Sequence, residues 1–200
     1  IAEKYNVEVI EVLTGFKFIG EQIGLLEKNG EENRYIFGYE ESYGYLVGDY
    51  ARDKDAVVAT MLICEMAAAY KAQGLTLVDA LNRLYAQHGY YIDEVQSFTL
   101  AGLSGQERIA QIMDKLRSEK RLTVGDLSIT SVLDYNAGVD GLPPVNTLKY
   151  LFAEGGWMAV RPSGTEPKIK FYYSLPGDDE AQARERLKTL QTFAQELVSL

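Results

Sequence analysis

The chain has 200 residues, 46% hydrophobic and 24% charged, an ordinary globular balance with room for one or two domains. Its net charge of −9 argues against a nucleic-acid partner, which needs a basic stripe, but leaves room for a local basic loop that holds a small anion. No apolar run approaches the roughly 20 residues of a membrane span, so no membrane partner is expected; the longest run, residues 56–70, is broken by Thr60 and Glu65.

In chain order, residues 7–13 are rich in β-branched side chains and predict a strand, which Thr14-Gly15 breaks. Residues 16–28 carry Phe18, Ile19, Ile23 and Leu26 at helical spacing and stop at Asn29-Gly30. Residues 34–38 predict a short strand and 38–45 a loop. Residues 56–73 predict a helix with Asp53 and Asp55 at its start and Gly74 at its end. Apolar residues lie on most of its faces, so a buried helix is expected, with Cys64, the only cysteine, in the core. A lone cysteine allows no internal disulfide and points to a reducing compartment, the cytoplasm. Thr76 and Asp79 open another helix over 77–87, and Gly89 stops it with His88 as a C-terminal cap.

The second half reads differently. Ser104 and Glu107 form a capping-box pattern ahead of Ile109, Ile112, Met113 and Leu116, an amphipathic helix. Leu127, Ile129, Ser131 and Leu133 predict one face of a strand, and residues 157–161 another strand. Ile169, Phe171 and Tyr173 alternate with Lys168, Lys170 and Tyr172, a strand buried on one face. Asp178, Asp179 and Glu180 open a last helix whose stripe is Leu187, Leu190, Phe193, Ala194 and Leu197. The expected architecture is an α/β domain over 1–94, incomplete, with a mixed sheet and helices. An α+β domain over 95–200 follows, its sheet flanked by helices on one face; the boundary is expected within residues 91–97.

Four segments could carry chemistry. Arg161-Pro162-Ser163-Gly164-Thr165-Glu166-Pro167-Lys168-Ile169-Lys170 sets three cations against one acid on an acidic chain. Arg161 offers a planar fork, Ser163 and Thr165 hydroxyls, and Gly164 a flexible backbone whose N–H groups could converge on an anion; a plain β-hairpin turn is the competing account. Gly38-Tyr39-Glu40-Glu41-Ser42-Tyr43-Gly44 offers carboxylates and a hydroxyl suited to sugar hydroxyls, or else is a solvated turn. Arg52 and Lys54 stand at the positive end of the helix that follows, an unfavourable place for cations unless they face an anion. Thr14-Gly15-Phe16-Lys17 is weak alone and reads equally well as an ordinary N-cap.

Together, and in this order, the four segments resemble those of the α-D-phosphohexomutases, over nearly the whole chain. The 161–167 segment looks like that family's phosphate-binding loop in its last domain, and 38–44 like the sugar-binding loop of its third domain. The tyrosine-rich sugar loop is most similar to the phosphoglucomutase branch. The resemblance implies an intramolecular phosphotransferase, an isomerase, moving a phosphoryl group between O1 and O6 of a glucose phosphate. A phosphoserine would donate it, through bound glucose 1,6-bisphosphate and with Mg²⁺ as the metal. Thr14, Lys17, Glu40, Ser42, Arg52 and Lys54 would then bind the sugar, with Lys54 near the reacting oxygen. Arg161, Ser163, Gly164, Thr165 and Lys170 would hold the non-reacting phosphate.

The family's serine loop and Asp-rich metal loop are absent from this sequence, which does not begin with Met. No metal ligand is therefore expected in the chain. It is expected to lack turnover alone and to need the family's N-terminal domains as partners. A sugar-phosphate binding module without chemistry, and mannose- or pentose-phosphate specificity, remain alternatives.

Overall fold

A strand exists only where a neighbour takes its N–H and C=O groups, and that rule separates the expected strands from the real ones. The structure, a computed structural model, describes residues 1–100, 102–139 and 141–199. The chain divides between Arg83 and Leu84 into two units.

In the first unit a 3-10 turn, Ala2–Tyr5, leads into residues 7–13, which form no strand. The unit's sheet among the described residues is the two-stranded pair of β1 (Phe37–Tyr39) and β2 (Tyr45–Val47), and it offers residues 7–13 no partner. Val7, Val9 and Ile10 stay exposed, and Val12 is half-buried. Helix α1 (Phe16–Lys28) forms as expected and ends at Asn29, with Gly30 in the left-handed region. Phe16 and Ile23 of α1 bury against Leu46 of β2, with Ile19, Tyr35 and Ala51 around them. The strand expected over 34–38 begins late, because a 3-10 turn, Glu32–Arg34, takes its first residue.

Helix α2 (Ala56–Ala72) starts at Asp55, whose carboxylate accepts hydrogen bonds from the N–H groups of Val57 and Val58. The expectation that α2 is buried does not hold: none of its residues is, and Met61 is 61% exposed. Cys64 is likewise exposed rather than in the core. An all-round apolar pattern says that a helix needs neighbours, not that this unit supplies them. Helix α3 (Leu77–His88) follows, opened by reciprocal bonds between Thr76 and Asp79.

The second unit is built on one antiparallel sheet. Its strands are β3 (Tyr90–Thr99), β4 (Thr123–Val124), β5 (Leu127–Asp134), β6 (Leu148–Phe152), β7 (Trp157–Pro162) and β8 (Lys168–Gly177). They lie in the order β3-β8-β7-β6-β5-β4. Ile169, Phe171, Tyr173 and Leu175 of β8 are buried against α4 (Leu103–Ser118) and α5 (Glu180–Ser199), whose expected apolar stripes are all in the core. Residues 91–97, expected to hold the boundary, lie within β3, which pairs with β8 along its full length, from Tyr90↔Gly177 to Thr99↔Lys168; the units divide ahead of it, between Arg83 and Leu84.

Two local expectations are corrected. Gly102, at φ 84°, is the N-cap of α4 and no side chain caps it, so Ser104 sits inside the helix and the capping box does not form. In β5 a bulge between Ile129 and Ser131 shifts the register against β6. Leu127 and Ile129 therefore join the core, while Leu133 pairs with Lys149 on the opposite face.

Phe171→Ala is expected to destabilise the second unit by about 3–5 kcal/mol, the cost of a large core cavity, while Met61→Gln on exposed α2 should stay within about 0.5 kcal/mol. Urea unfolding of both variants checks the contrast. Burial, and beyond it the charges of Glu119 and Asp134 set against Arg121 and Arg117, pushes the Tyr150 hydroxyl up to about 12. The fold thus favours the neutral phenol, so its contribution is intact below the unfolded value of about 10 and is lost as pH rises from there through about 12. Tyr150→Phe should flatten the fall of unfolding free energy across that window, measured by urea unfolding at stepped pH.

Candidate functional site

The first unit gathers six of the expected residues around α1 and the β1–β2 hairpin. Glu40 N–H donates to the Gly44 carbonyl at 2.9 Å and closes the hairpin. The Glu40 side chain is only 9% exposed, and its carboxylate stands 3.6 Å from the Lys54 ammonium. That approach needs glycine at position 44: a Cβ there would lie 2.7 Å from Lys54 Cδ and 3.0 Å from Glu40 Oε2. Lys54 also stands 3.6 Å from Asp53 and 5.6 Å from the centre of the Phe16 ring. Tyr43, between Ser42 and Gly44, holds φ 64°, a left-handed conformation uncommon outside glycine, with its ring exposed.

Arg52 is turned to its own surroundings. Its guanidinium donates to Glu27 at 2.8 Å and to the carbonyls of Asp49 at 2.5 Å and Ala51 at 3.1 Å. This is the structural reason for a cation ahead of α2: it ties the loop to the end of α1. Asp55 accepts from the Tyr50 hydroxyl at 2.5 Å. That bond, with those from the Val57 and Val58 N–H groups, holds its carboxyl below the usual range against a small opposing effect of burial. Thr14 is exposed and is not the N-cap of α1, which is Gly15, and Lys17 lies over the Phe18 ring at 4.9 Å. Thr14, Lys17 and Ser42 make no hydrogen bond to the Glu40–Lys54 pair among the described residues.

In the second unit the β7–β8 turn is closed by Ser163 N–H donating to the Lys168 carbonyl at 2.8 Å. Ser163 Oγ accepts from the N–H groups of Thr165 at 3.4 Å and Glu166 at 3.3 Å, two long bonds that gather both donors toward one point. The turn does not require glycine at 164: its φ is not left-handed, and an added Cβ would meet nothing within 4 Å. Glycine there leaves the space over the turn open. The Glu166 carboxylate is held by Lys168 at 3.0 Å.

Arg161 pairs directly across the sheet with Lys170, both on the face opposite the core residues Val160, Ile169 and Phe171. Cβ atoms of such partners are about 5 Å apart, and like charges placed so oppose each other. Arg161 Nη1 is buried without a hydrogen-bond partner, and so is Thr147 Oγ1 just ahead of β6. On the side of the turn facing α4, a cleft of about 240 Å³ is lined by Gln106, Ile109, Ala110, Asn146 and residues 162–166. Its size is below the roughly 300–1,000 Å³ of a typical ligand pocket and suits a small polar group. Asn146 was not among the residues singled out by sequence, since nothing in its neighbourhood has a charge or glycine signature.

Among the described residues no group of three His, Cys, Asp or Glu side chains is placed to hold a metal ion. No helix of the described residues is long and apolar enough to cross a membrane.

Comparison with known proteins accounts for nearly all of the chain. Residues 1–88 match the alpha/beta/alpha domain III of phosphoglucomutase/phosphomannomutase, and residues 105–190 match the C-terminal domain of the same family. Phosphoglucomutase of Staphylococcus haemolyticus is 40% identical over 193 residues, covering 91% of this chain and 34% of that protein. The phosphoglucomutase of Staphylococcus aureus strain bovine RF122 is 42% identical over 196 residues, covering 91% of this chain and 35% of that protein. The fold is that of pp63/parafusin from Paramecium in its open form, with a TM-score of 0.70 at 20% identity over 99% of this chain and 35% of that one. The chain thus spans about a third of the length of these relatives. With two domain models of one family matched in sequence along it, the chain belongs to the phosphoglucomutase/phosphomannomutase family.

Proposed function

We propose that the chain is the sugar- and phosphate-binding part of a phosphoglucomutase that interconverts glucose 1-phosphate and glucose 6-phosphate. The observation that carries this is Arg161 set directly across from Lys170 with a buried, unpartnered Nη1 beside a turn of inward-drawn N–H groups. Two cations in that position cost stability alone and gain it with a dianion between them. Arg161 and Lys170 supply charge; Ser163, Thr165 and the open backbone at Gly164 supply hydrogen bonds. The ligand is glucose 1,6-bisphosphate or either monophosphate, with the non-reacting phosphate on the turn. Holding that remote phosphate uses binding energy to position the reacting one.

The first unit would hold the sugar. Glu40 accepts from sugar hydroxyls, Ser42 at the hairpin tip and Thr14 and Lys17 at the start of α1 line the same ligand, and Arg52 fixes the loop that carries Lys54. Lys54 would stabilise charge on the reacting oxygen, at the cost of loosening its 3.6 Å contact with Glu40. The donor phosphoserine and the magnesium ion have no residues in this sequence, and no step here runs through them. A role in central sugar chemistry puts the protein in the cytoplasm, in keeping with its single thiol, Cys64.

Calorimetric titration with glucose 1,6-bisphosphate should show weak binding that falls at least about tenfold in Arg161→Ala, the loss of one charge-assisted contact. Heat unchanged by that substitution would defeat the phosphate-turn reading. In a coupled assay the chain alone is expected to interconvert the two glucose phosphates no faster than buffer; enzyme-like turnover would show that the donor serine is not needed.

A further inference from the structure

We infer that Asn146 is a further phosphate-contacting residue, working from the cleft side of the β7–β8 turn; this rests on the phosphate-turn reading above. Arg117 is the reason. Its Nη2 donates to Asn146 Oδ1 at 2.6 Å, and its Nε donates to Asp134 Oδ2 at 2.9 Å. A guanidinium has only donors, so the amide atom facing it must be the oxygen, and the amide nitrogen is left for another partner. Asn146 lines the cleft and Arg117 does not. The Asp134–Arg117–Asn146 chain therefore leaves two N–H donors available at the space that Ser163, Gly164 and Thr165 border. The amide nitrogen has no hydrogen bond among the described residues.

The rest of the cleft fits the same ligand chemistry. Ser163 Oγ already accepts two N–H groups, so its own proton is left to donate. Gln106 and Thr165 add polar groups, and the Glu166 carboxylate is taken up by Lys168. Neutral donors thus face one side of the turn and the cations Arg161 and Lys170 the other. A phosphate seated over the open backbone at Gly164 would have to be reached by both sets. Arg117 and Asp134 act through Asn146 and are positioning residues.

The test is an NMR titration of the chain with glucose 1,6-bisphosphate, following the Asn146 side-chain NH₂ pair and the backbone amides of residues 163–166. Asn146→Ala, Asn146→Asp and Arg161→Ala are run beside it. The NH₂ signals should move together with the turn amides, and Asn146→Ala should weaken binding about tenfold. Asn146→Asp separates binding from structure: it keeps, as a carboxylate, the acceptor for Arg117, so urea unfolding should show no loss of stability, yet it sets a negative charge against the phosphate and should weaken binding at least as much. If turn amides shift and Arg161→Ala abolishes binding while the NH₂ signals stay still and both Asn146 variants bind as wild type, the inference is overturned and the phosphate turn stands. Affinity lost by Asn146→Asp only in step with stability also overturns it. No shift anywhere in the wild type overturns both.

Discussion

The pairing of β8 with β3 on one side and β7 on the other is the constraint on which the second unit depends. Strand side chains alternate, so a slip of one residue would send Ile169, Phe171, Tyr173 and Leu175 to the outer face. Burying each is worth roughly 1.5–3 kcal/mol, which makes the slip prohibitive. The same register sets Arg161 across from Lys170. Apolar burial on one face therefore holds two cations together on the other, and an arrangement that would not form for its own sake persists because the core dictates it.

The first unit works at a smaller scale. Its buried apolar cluster is Phe16, Ile23 and Leu46, too little to fix distant groups, so short-range bonds do the positioning. Gly44 lets Lys54 and Glu40 approach, Arg52 ties its loop to Glu27, and Asp55 caps α2. Helix α2 then stands with Val57, Met61, Ile63 and Met66 exposed, an apolar surface of the kind that marks contact with something else. The Asp55 cap supports its start, and Val58, Ala59, Ala67 and Tyr70 are half-buried.

What the sequence made legible follows from the range of the forces involved. Helices α1, α4 and α5 were readable because their apolar spacing meets a core within the same unit, and β8 because its alternation is strict. Residues 7–13 misled because β-propensity reports a side chain's fitness for a sheet, not the presence of a neighbouring strand. Helix α2 misled for the matching reason: its composition asks for burial that the unit does not supply. Strand β3 went unread because its outward residues are as varied as a loop's and only the partner β8 defines it. The charged turn at 161–170 was visible as a local reversal of sign. Asn146 was not, since its role depends on Arg117 and Asp134, brought to it from α4 and the end of β5.

The two units differ in how far their polar groups are already satisfied, and that difference bears on how a sugar phosphate would be held. Lys54, Arg52 and Asp55 each have a partner in the first unit. A ligand that loosened the Glu40–Lys54 contact without replacing it would be penalised there. In the second unit Arg161 Nη1 is buried and unpartnered, and the amide nitrogen of Asn146 has no hydrogen bond among the described residues. A ligand oxygen that reaches such groups gains bonds and gives up none within the protein. An anion would therefore gain most at the Arg161 turn, where donors stand unpartnered, and least at the Glu40–Lys54 pair, where the charges already have partners.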